Sequence, residues 1–193
     1  MNIHTLFIIL IFAALAMGIY GTVVVRGANL VRIDKLTTLM AFIWGVLELA
    51  AALVGHNIGS WILMFEMERE RDVFWTHLMA GAIFAAIGIR MLIRAFQGRT
   101  ILEHRMENVD IRTDAILSLR LCAYACFAGI GFGLLRYSLS QVLAASFVIT
   151  AVFAAAGYIS GRAYGVSPSG KAYALGGGLL CALSIALQML QTV

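Results

Sequence analysis

The sequence LTTLMAFIWGVLELAAALVGH, residues 36–56, has the length and composition of a membrane-spanning helix. It contains one formally charged residue, Glu48, and it ends on His56. A helix needs about 20 consecutive apolar residues to cross the hydrocarbon core of a bilayer. This stretch therefore predicts a transmembrane helix that carries a single carboxylate near its middle.

Similar apolar runs fill most of the remaining chain. Of its 193 residues, 62% are hydrophobic and 12% are charged, whereas soluble domains have about 25% charged residues. This composition excludes an ordinary soluble enzyme, a disordered chain and a disulfide-rich secreted module. The alternating pattern of a membrane barrel is absent, so we predict an all-α integral membrane protein. Its six transmembrane helices are predicted at residues 3–25, 36–56, 73–96, 115–135, 138–161 and 172–192.

The positions of the basic residues predict the orientation of these helices. Ten lysines and arginines flank the loops after helices 1, 3 and 5, and three flank the loops after helices 2 and 4. Because basic residues favour the cytoplasmic side, we expect both termini to lie outside. The role of basic residues in orienting the helices also explains the net charge of +4, so no nucleic-acid partner is expected. The chain is predicted to be one transmembrane domain, 1–193, with a first three-helix repeat at 1–96, a cytoplasmic loop at 97–114 and a second repeat at 115–193.

A repeated glycine spacing indicates how the two halves are related. Gly55 and Gly59 have the same spacing as Gly161 and Gly165, 106 positions later in the chain. Small residues four positions apart let helices approach closely, so these four glycines are predicted to pack helices together. Convergent use of glycine in membrane helices is the alternative explanation. Because each half would contain three helices, a true duplication predicts two repeats of opposite orientation, as in many secondary transporters.

Several short segments, taken in order along the chain, resemble the MntP-type manganese efflux pumps. They include RGANL at 26–30, WGVLE at 44–48 followed by LVG at 53–55, GIRMLI at 88–93, and GKA at 170–172. The resemblance covers nearly the whole chain. It implies a small, multi-pass protein of the bacterial inner membrane with six helices and with Mn²⁺ as its transported ion.

The resemblance also implies where acidic residues of a transport site would lie. The family's intramembrane aspartates in helices 1 and 4 fall on Gly18 and Tyr124 of this chain, and the acid of its last helix falls on Tyr173. Glu48 is the intramembrane acid that the chain keeps. The resemblance therefore implies a degenerate member of the family.

Glu48 is the principal candidate for a functional residue. Ionisable residues inside a membrane usually face a protein interior or a water-filled cavity and mark an ion path, and Mn²⁺ prefers oxygen ligands such as carboxylates. The structural alternative is a neutral, hydrogen-bonded Glu48 or an ion pair with Arg120. Arg120 lies one helical turn before Tyr124, and its own alternative is to extend to the lipid headgroups. A lone histidine such as His77 is more often structural than a ligand.

These residues lead to two functional hypotheses. The first is a small secondary transporter of manganese or another divalent cation, with a site drawn from Glu48, Tyr124, Gly18, Arg120 and His77, and with Glu48 as the metal ligand. The alternative is a transport-inactive homologue that serves as a structural or regulatory subunit of a larger membrane assembly. The expected partners are the lipid bilayer, a divalent cation, and further copies of the chain or a larger complex. No enzymatic activity and no cofactor besides transported Mn²⁺ are expected, because the sequence has no clustered acid, base and nucleophile.

Overall fold

The computed structural model describes residues 3–30, 35–66, 71–97 and 111–189, and it is all-helical. Each of the six helices is long and apolar enough to cross a membrane, as the apolar runs predicted. The helices are α1 (Ile3–Asn29), α2 (Lys35–Glu66), α3 (Arg71–Phe96), α4 (Ile111–Leu134), α5 (Leu139–Tyr164) and α6 (Ser167–Met189).

Some predicted boundaries were wrong. Helix α2 continues from His56 to Glu66 because Gly59 packs closely against α4, which offsets the low helix propensity of glycine. Helix α6 begins at Ser167 and not at 172, since Pro168 suits the first turn of a helix. The predicted loop 97–114 is shorter at its end, because α4 already begins at residue 111. Residues 98–110 of that loop lie outside the described ranges.

The two halves of the chain interlock. Helix α1 packs mainly against α5 and α6, α2 against α4 and α5, and α3 against α6. The main neighbours of every helix therefore belong to the other half. Exchange of α1 with α4, α2 with α5 and α3 with α6 reproduces the same set of contacts, which is the pattern of an inverted repeat.

Close contacts at glycine fix the correspondence between the halves. A Cβ atom built on Gly59 of α2 would lie 2.3 Å from the carbonyl oxygen of Ile130 on α4. A Cβ built on Gly161 of α5 would lie 2.2 Å from the carbonyl oxygen of Val24 on α1. The two contacts are equivalent if α1 corresponds to α4 with an offset of 106 residues and α2 to α5 with an offset of 102.

This correspondence changes both predicted pairings of glycines between the halves, Gly55 with Gly161 and Gly59 with Gly165. Gly55 and Gly157 are equivalent, because they face the carbonyl oxygens of Cys126 and Tyr20, respectively. Gly165 was predicted to pack helices together, and this prediction was wrong. It ends α5 with a φ of 66°, and an added Cβ would have no neighbour within 4 Å. Its role is to adopt a backbone conformation that other residues rarely adopt.

Helices α3 and α6 meet across the same symmetry. A Cβ on Gly88 would lie 2.9 Å from the carbonyl oxygen of Gly177, and one on Gly177 would lie 2.7 Å from the carbonyl oxygen of Gly88. Gly88 also faces Cys181, and Gly177 faces Leu92. Gly88 and Gly177 are 89 positions apart, and so are Leu92 and Cys181, so this offset relates α3 to α6.

Candidate transport site at the middle of the bundle

The buried apolar residues form two clusters, one toward each end of the bundle. The terminal cluster, on the side of residue 3, includes Phe7, Phe12, Phe84, Phe132 and Leu187. The loop-end cluster, on the side of the connection between α3 and α4, includes Val23, Met40, Trp44, Leu121 and Tyr158. Polar groups between these clusters lie near the middle of the membrane-spanning segments.

Four positions define this middle layer. Gly18 lies between Leu15 of the terminal cluster and Ile19 of the loop-end cluster. Glu48 lies in the same way between the two clusters on α2. The layer is completed by Tyr124, which packs against both clusters, and by Thr150, which lies between Val142 and Ala154 on α5.

Glu48 is buried in this layer, with 3% of its surface exposed. Its equivalent in the second repeat, 102 positions later, is Thr150, which is also buried. A charged side chain at the centre of a membrane helix costs about 3 kcal/mol. The carboxyl group is therefore stable either with a bound proton or beside a positive charge.

Two buried hydrogen-bond donors lie beside this region without a partner. The Nε1 atom of Trp44, one helical turn before Glu48, and the Oη atom of Tyr124 have no hydrogen-bond partner among the described residues. Buried polar groups are nearly always hydrogen-bonded. These two atoms can therefore donate to a water molecule or another ligand that enters the middle layer, and the Tyr124 oxygen can also accept.

The structure surrounds Gly18 and Tyr124 with different groups. The side chains nearest to a Cβ on Gly18 are those of Met91 and Tyr173. The Tyr124 ring lies under the guanidinium groups of Arg90 and Arg94, with the Cζ atoms 6.0 and 5.5 Å from the ring centroid. Both positions occur in the middle layer, but the three atoms nearest to a Cβ on Gly18 do not belong to Tyr124.

Arg120 and His77 lie away from the middle layer. Arg120 is exposed on α4 whereas Glu48 is buried, and within the part of the chain that the structure describes no ion pair joins them. Arg120 is thus positioned to extend toward headgroups. His77 is half-buried near the start of α3, where its backbone carbonyl accepts a hydrogen bond of 3.0 Å from Gln188.

Sequence reasoning missed a second polar group of side chains. The hydroxyl of Tyr173 on α6 hydrogen-bonds to Thr22 on α1, and the hydroxyl of Ser169 donates to the carbonyl oxygen of Gly21 at 2.6 Å. Tyr173, at the position where the resemblance implies an acid, thus joins two helices. Isolated hydroxyl residues in otherwise apolar helices were the signal for these contacts.

A cavity of about 480 Å³ opens at the terminal end of the bundle. His56 lines it and is held by its ring nitrogens, with Nε2 2.9 Å from the carbonyl oxygen of Tyr137 and Nδ1 3.4 Å from the hydroxyl of Ser60. Burial raises the pKa of Tyr137, which also lines the cavity. The cavity therefore has hydrogen-bonding groups on its wall beside the cation of Arg136.

The ligands for a divalent cation in the middle layer are few. Among the described residues, no group of three histidine, cysteine or acidic side chains converges on one point. A cation in the middle layer would therefore depend on one carboxylate, that of Glu48, together with neutral oxygens. Hydroxyl, carbonyl and water oxygens suit Mn²⁺ chemically.

Comparison with known proteins gives a consistent family. A family model described as "Putative manganese efflux pump" matches residues 31–190. A protein of the same description from Fusobacterium nucleatum is 24% identical over 184 residues, which are 94% of this chain and 97% of the relative. Another from Corynebacterium glutamicum strain R is 28% identical over 177 residues, 90% of each chain. No solved structure matches the chain.

The family model spans most of the chain, and the relatives align over nearly their whole lengths. Helices α2 to α6 and the buried glutamate described above lie within the matched region. The chain therefore belongs to the MntP family of manganese efflux pumps, which the sequence resemblance predicted.

Proposed function

We propose that this chain is a secondary transporter that exports Mn²⁺ or a similar divalent cation, with Glu48 as the ionisable group of its site. The observation that carries the proposal is the burial of Glu48 between the two apolar clusters. Family membership supports export as the direction of transport and Mn²⁺ as the transported ion. Intramembrane acids commonly mark ion paths, and inverted repeats commonly place the site where the halves meet.

The proposed mechanism uses two states of the Glu48 carboxyl group. In one state the group holds a proton and is neutral, which suits its buried position. In the other state the proton leaves and a divalent cation takes its place, with neutral oxygens completing the coordination. A single carboxylate leaves the site with net positive charge, so binding is expected to be weak enough for release.

The proposal is tested by Glu48→Gln, which keeps the shape of the side chain and removes its charge. The matched control is Ser184→Ala, which removes a buried hydroxyl that donates to the carbonyl oxygen of Gly81 at 2.8 Å, outside the middle layer. We expect Mn²⁺ flux in proteoliposomes and manganese tolerance in a sensitive host to be lost in the first variant and kept in the second. Normal flux from a well-folded Glu48→Gln protein would refute the proposed role of Glu48.

A specific observation favours the alternative, a transport-inactive homologue that serves as a subunit. Gly18, Tyr124 and Tyr173 occupy the positions where the family resemblance implies acids. Two guanidinium groups also lie over the Tyr124 ring, and they repel a cation from that side of the layer. Under this alternative the unmodified chain fails to transport Mn²⁺ in proteoliposomes and copurifies with a specific membrane protein, whereas robust export would exclude it.

We further propose that the chain lies in a bacterial inner membrane with both termini outside and has transport rather than enzymatic activity. The ten-to-three distribution of basic residues between the two sets of loops supports this orientation. Self-association of the chain is the simplest larger assembly. Cross-linking in the membrane tests it.

A further inference from the structure

The two seams that the inverted repeat should make equivalent are packed differently. Helix α1 packs closely against α6, whereas the equivalent pair, α3 and α4, makes a sparser contact. A cavity of about 420 Å³ opens between α3 and α4. The symmetry of the backbone is therefore broken at this one seam.

Glycines close the first seam. A Cβ on Gly21 would lie 2.9 Å from the Tyr173 ring, and one on Gly176 would lie 2.5 Å from the carbonyl oxygen of Ala14. A Cβ on Gly18 would lie 3.6 Å from the Tyr173 ring of α6 and 3.0 Å from Met91 of the neighbouring α3. Each of these glycines allows the facing helix to approach. A side chain at any of them would have to displace a neighbour.

Bulky residues hold the second seam open. The offset of 106 relates Gly18 to Tyr124 and Gly21 to Phe127, and the offset of 89 relates Gly176 to Ile87. All three larger residues line the cavity between α3 and α4. The open seam thus follows from three specific replacements at symmetry-related positions.

The cavity is apolar along its length and cationic at one end. Ala82, Ile83 and Ala86 line it toward the middle of α3, and Arg90 lines it toward the loop end. Arg94, one turn further, also lies over Tyr124. Arg90 is six residues before the end of α3 at Phe96, which is about 9 Å along the axis. A flexible arginine at this depth reaches the headgroup region of the leaflet.

The occupant must match both parts of this cavity. Of the carboxylates whose side chains the structure describes, none pairs with Arg90 or Arg94, and both guanidinium groups lie over the Tyr124 ring. Guanidinium groups bind phosphate in bidentate geometry, and basic pockets between membrane helices bind anionic lipid headgroups. An acyl chain suits the apolar remainder of the cavity. We propose that the seam between α3 and α4 is a selective binding site for an anionic phospholipid of the leaflet at the loop end.

The proposed site does not depend on the transport function. In the bound state the phosphate lies at Arg90 and Arg94, and one acyl chain lies along Ala86 and Phe127. The lipid then fills the space that glycines close in the other seam. It contributes to the packing of α3 against α4 in a lipid-dependent way.

Native mass spectrometry of the delipidated full chain tests this proposal. Phosphatidylglycerol and phosphatidylcholine with identical acyl chains are the probes. Each basic side chain near an anionic membrane surface contributes about fivefold to binding. We therefore expect the double substitution Arg90→Gln with Arg94→Gln to weaken phosphatidylglycerol binding about 30-fold and to leave phosphatidylcholine binding unchanged.

Two further variants complete the test. Lys35→Gln with Lys171→Gln removes two exposed basic residues at the same end of the bundle, and we expect it to keep the selectivity. Ala86→Phe fills the cavity without changing charge, and we expect it to weaken binding of both lipids. This variant tests the proposal even if the arginine variant does not fold. Equal loss in both charge variants, no loss in the arginine variant, or displacement of the lipid by inorganic phosphate would overturn the proposal.

Discussion

The close contact at Gly55 gives a quantitative prediction of stability. In Gly55→Ala the new Cβ would lie 1.9 Å from the carbonyl oxygen of Cys126. Carbon and oxygen atoms that meet across helices stay about 3.3 Å apart or more. Helices α2 and α4 must therefore separate by about 1.4 Å at this point, because the obstructing atom belongs to the backbone and has no rotamer to change.

The expected loss follows from this separation. Inserting a methyl group into a well-packed core typically costs about 1–3 kcal/mol, and rigid backbone places this contact at the upper end. Alanine returns up to about 1 kcal/mol through its higher helix propensity. We therefore expect Gly55→Ala to lower the free energy of unfolding by about 2 kcal/mol.

Gly178 provides the matched control. It lies on an exposed face of α6, and an added Cβ would have nothing within 4 Å. Gly178→Ala should therefore be neutral or stabilising by up to about 1 kcal/mol. For a chain of this length, 1 kcal/mol corresponds to about 2–4 °C in Tm. The Tm values of the two variants should therefore differ by about 4–12 °C.

The assay is thermal unfolding of the detergent-purified protein, followed by size-exclusion chromatography with fluorescence detection. The same comparison is made between Gly161→Ala, where the Cβ would lie 2.2 Å from the carbonyl oxygen of Val24, and Gly178→Ala. If Gly55→Ala and Gly178→Ala melt within about 2 °C of each other, the helices do not meet at this glycine. That result would refute both the packing and the correspondence of the repeats derived from it.

Three other predictions follow from the same structure. Tyr173→Phe should lower stability by about 0.5–1.5 kcal/mol, because it removes the buried hydrogen bond to Thr22 while Thr22 still donates to the carbonyl oxygen of Gly18. A double-mutant cycle with Thr22→Val should show a smaller loss than the sum of the single variants, and strict additivity would exclude the bond. A reporter fused after Val193 should be active outside the cell and one inserted in the predicted cytoplasmic loop should be active inside, whereas the reverse pattern would show the opposite orientation. In a transport-inactive chain, Gly18→Asp with Tyr124→Asp should restore manganese tolerance in a sensitive host, provided that the variant folds. Export by the unmodified chain would make this restoration unnecessary.

The transmembrane helices were predictable because the length of an apolar run is a direct requirement of the bilayer. Their ends were less predictable, since tertiary contacts decide them. Residues 57–60, with the sequence NIGS, have the polar and glycine content of a helix end. In the structure α2 passes through them because Gly59 is pressed against α4. A contact with a residue 71 positions away cannot be derived from local pattern.

The sequence predicted that the two halves are related as repeats, but the predicted offset between α2 and α5 was wrong. Gly55 and Gly59 are four positions apart on α2. The same spacing occurs twice on α5, between Gly157 and Gly161 and between Gly161 and Gly165. Only the facing helix distinguishes the choices, because Gly157 and Gly161 meet α1 while Gly165 meets nothing. Glu48 stands out in the sequence because it is a charged residue in an apolar run. The lack of a hydrogen-bond partner for Trp44 among the described residues depends on tertiary packing, so the sequence did not indicate it.

The differences between the repeats are concentrated where the backbone does not require symmetry. Glycines that touch a facing carbonyl occur in both halves, because a side chain there would separate the helices. In the middle layer the halves diverge instead, with Glu48 matched by Thr150 and Gly18 matched by Tyr124. Two identical halves would give a site with two acids or with none. The single carboxylate therefore makes the middle layer chemically asymmetric, and the guanidinium groups of Arg90 and Arg94 repel a cation on the Tyr124 side of that layer.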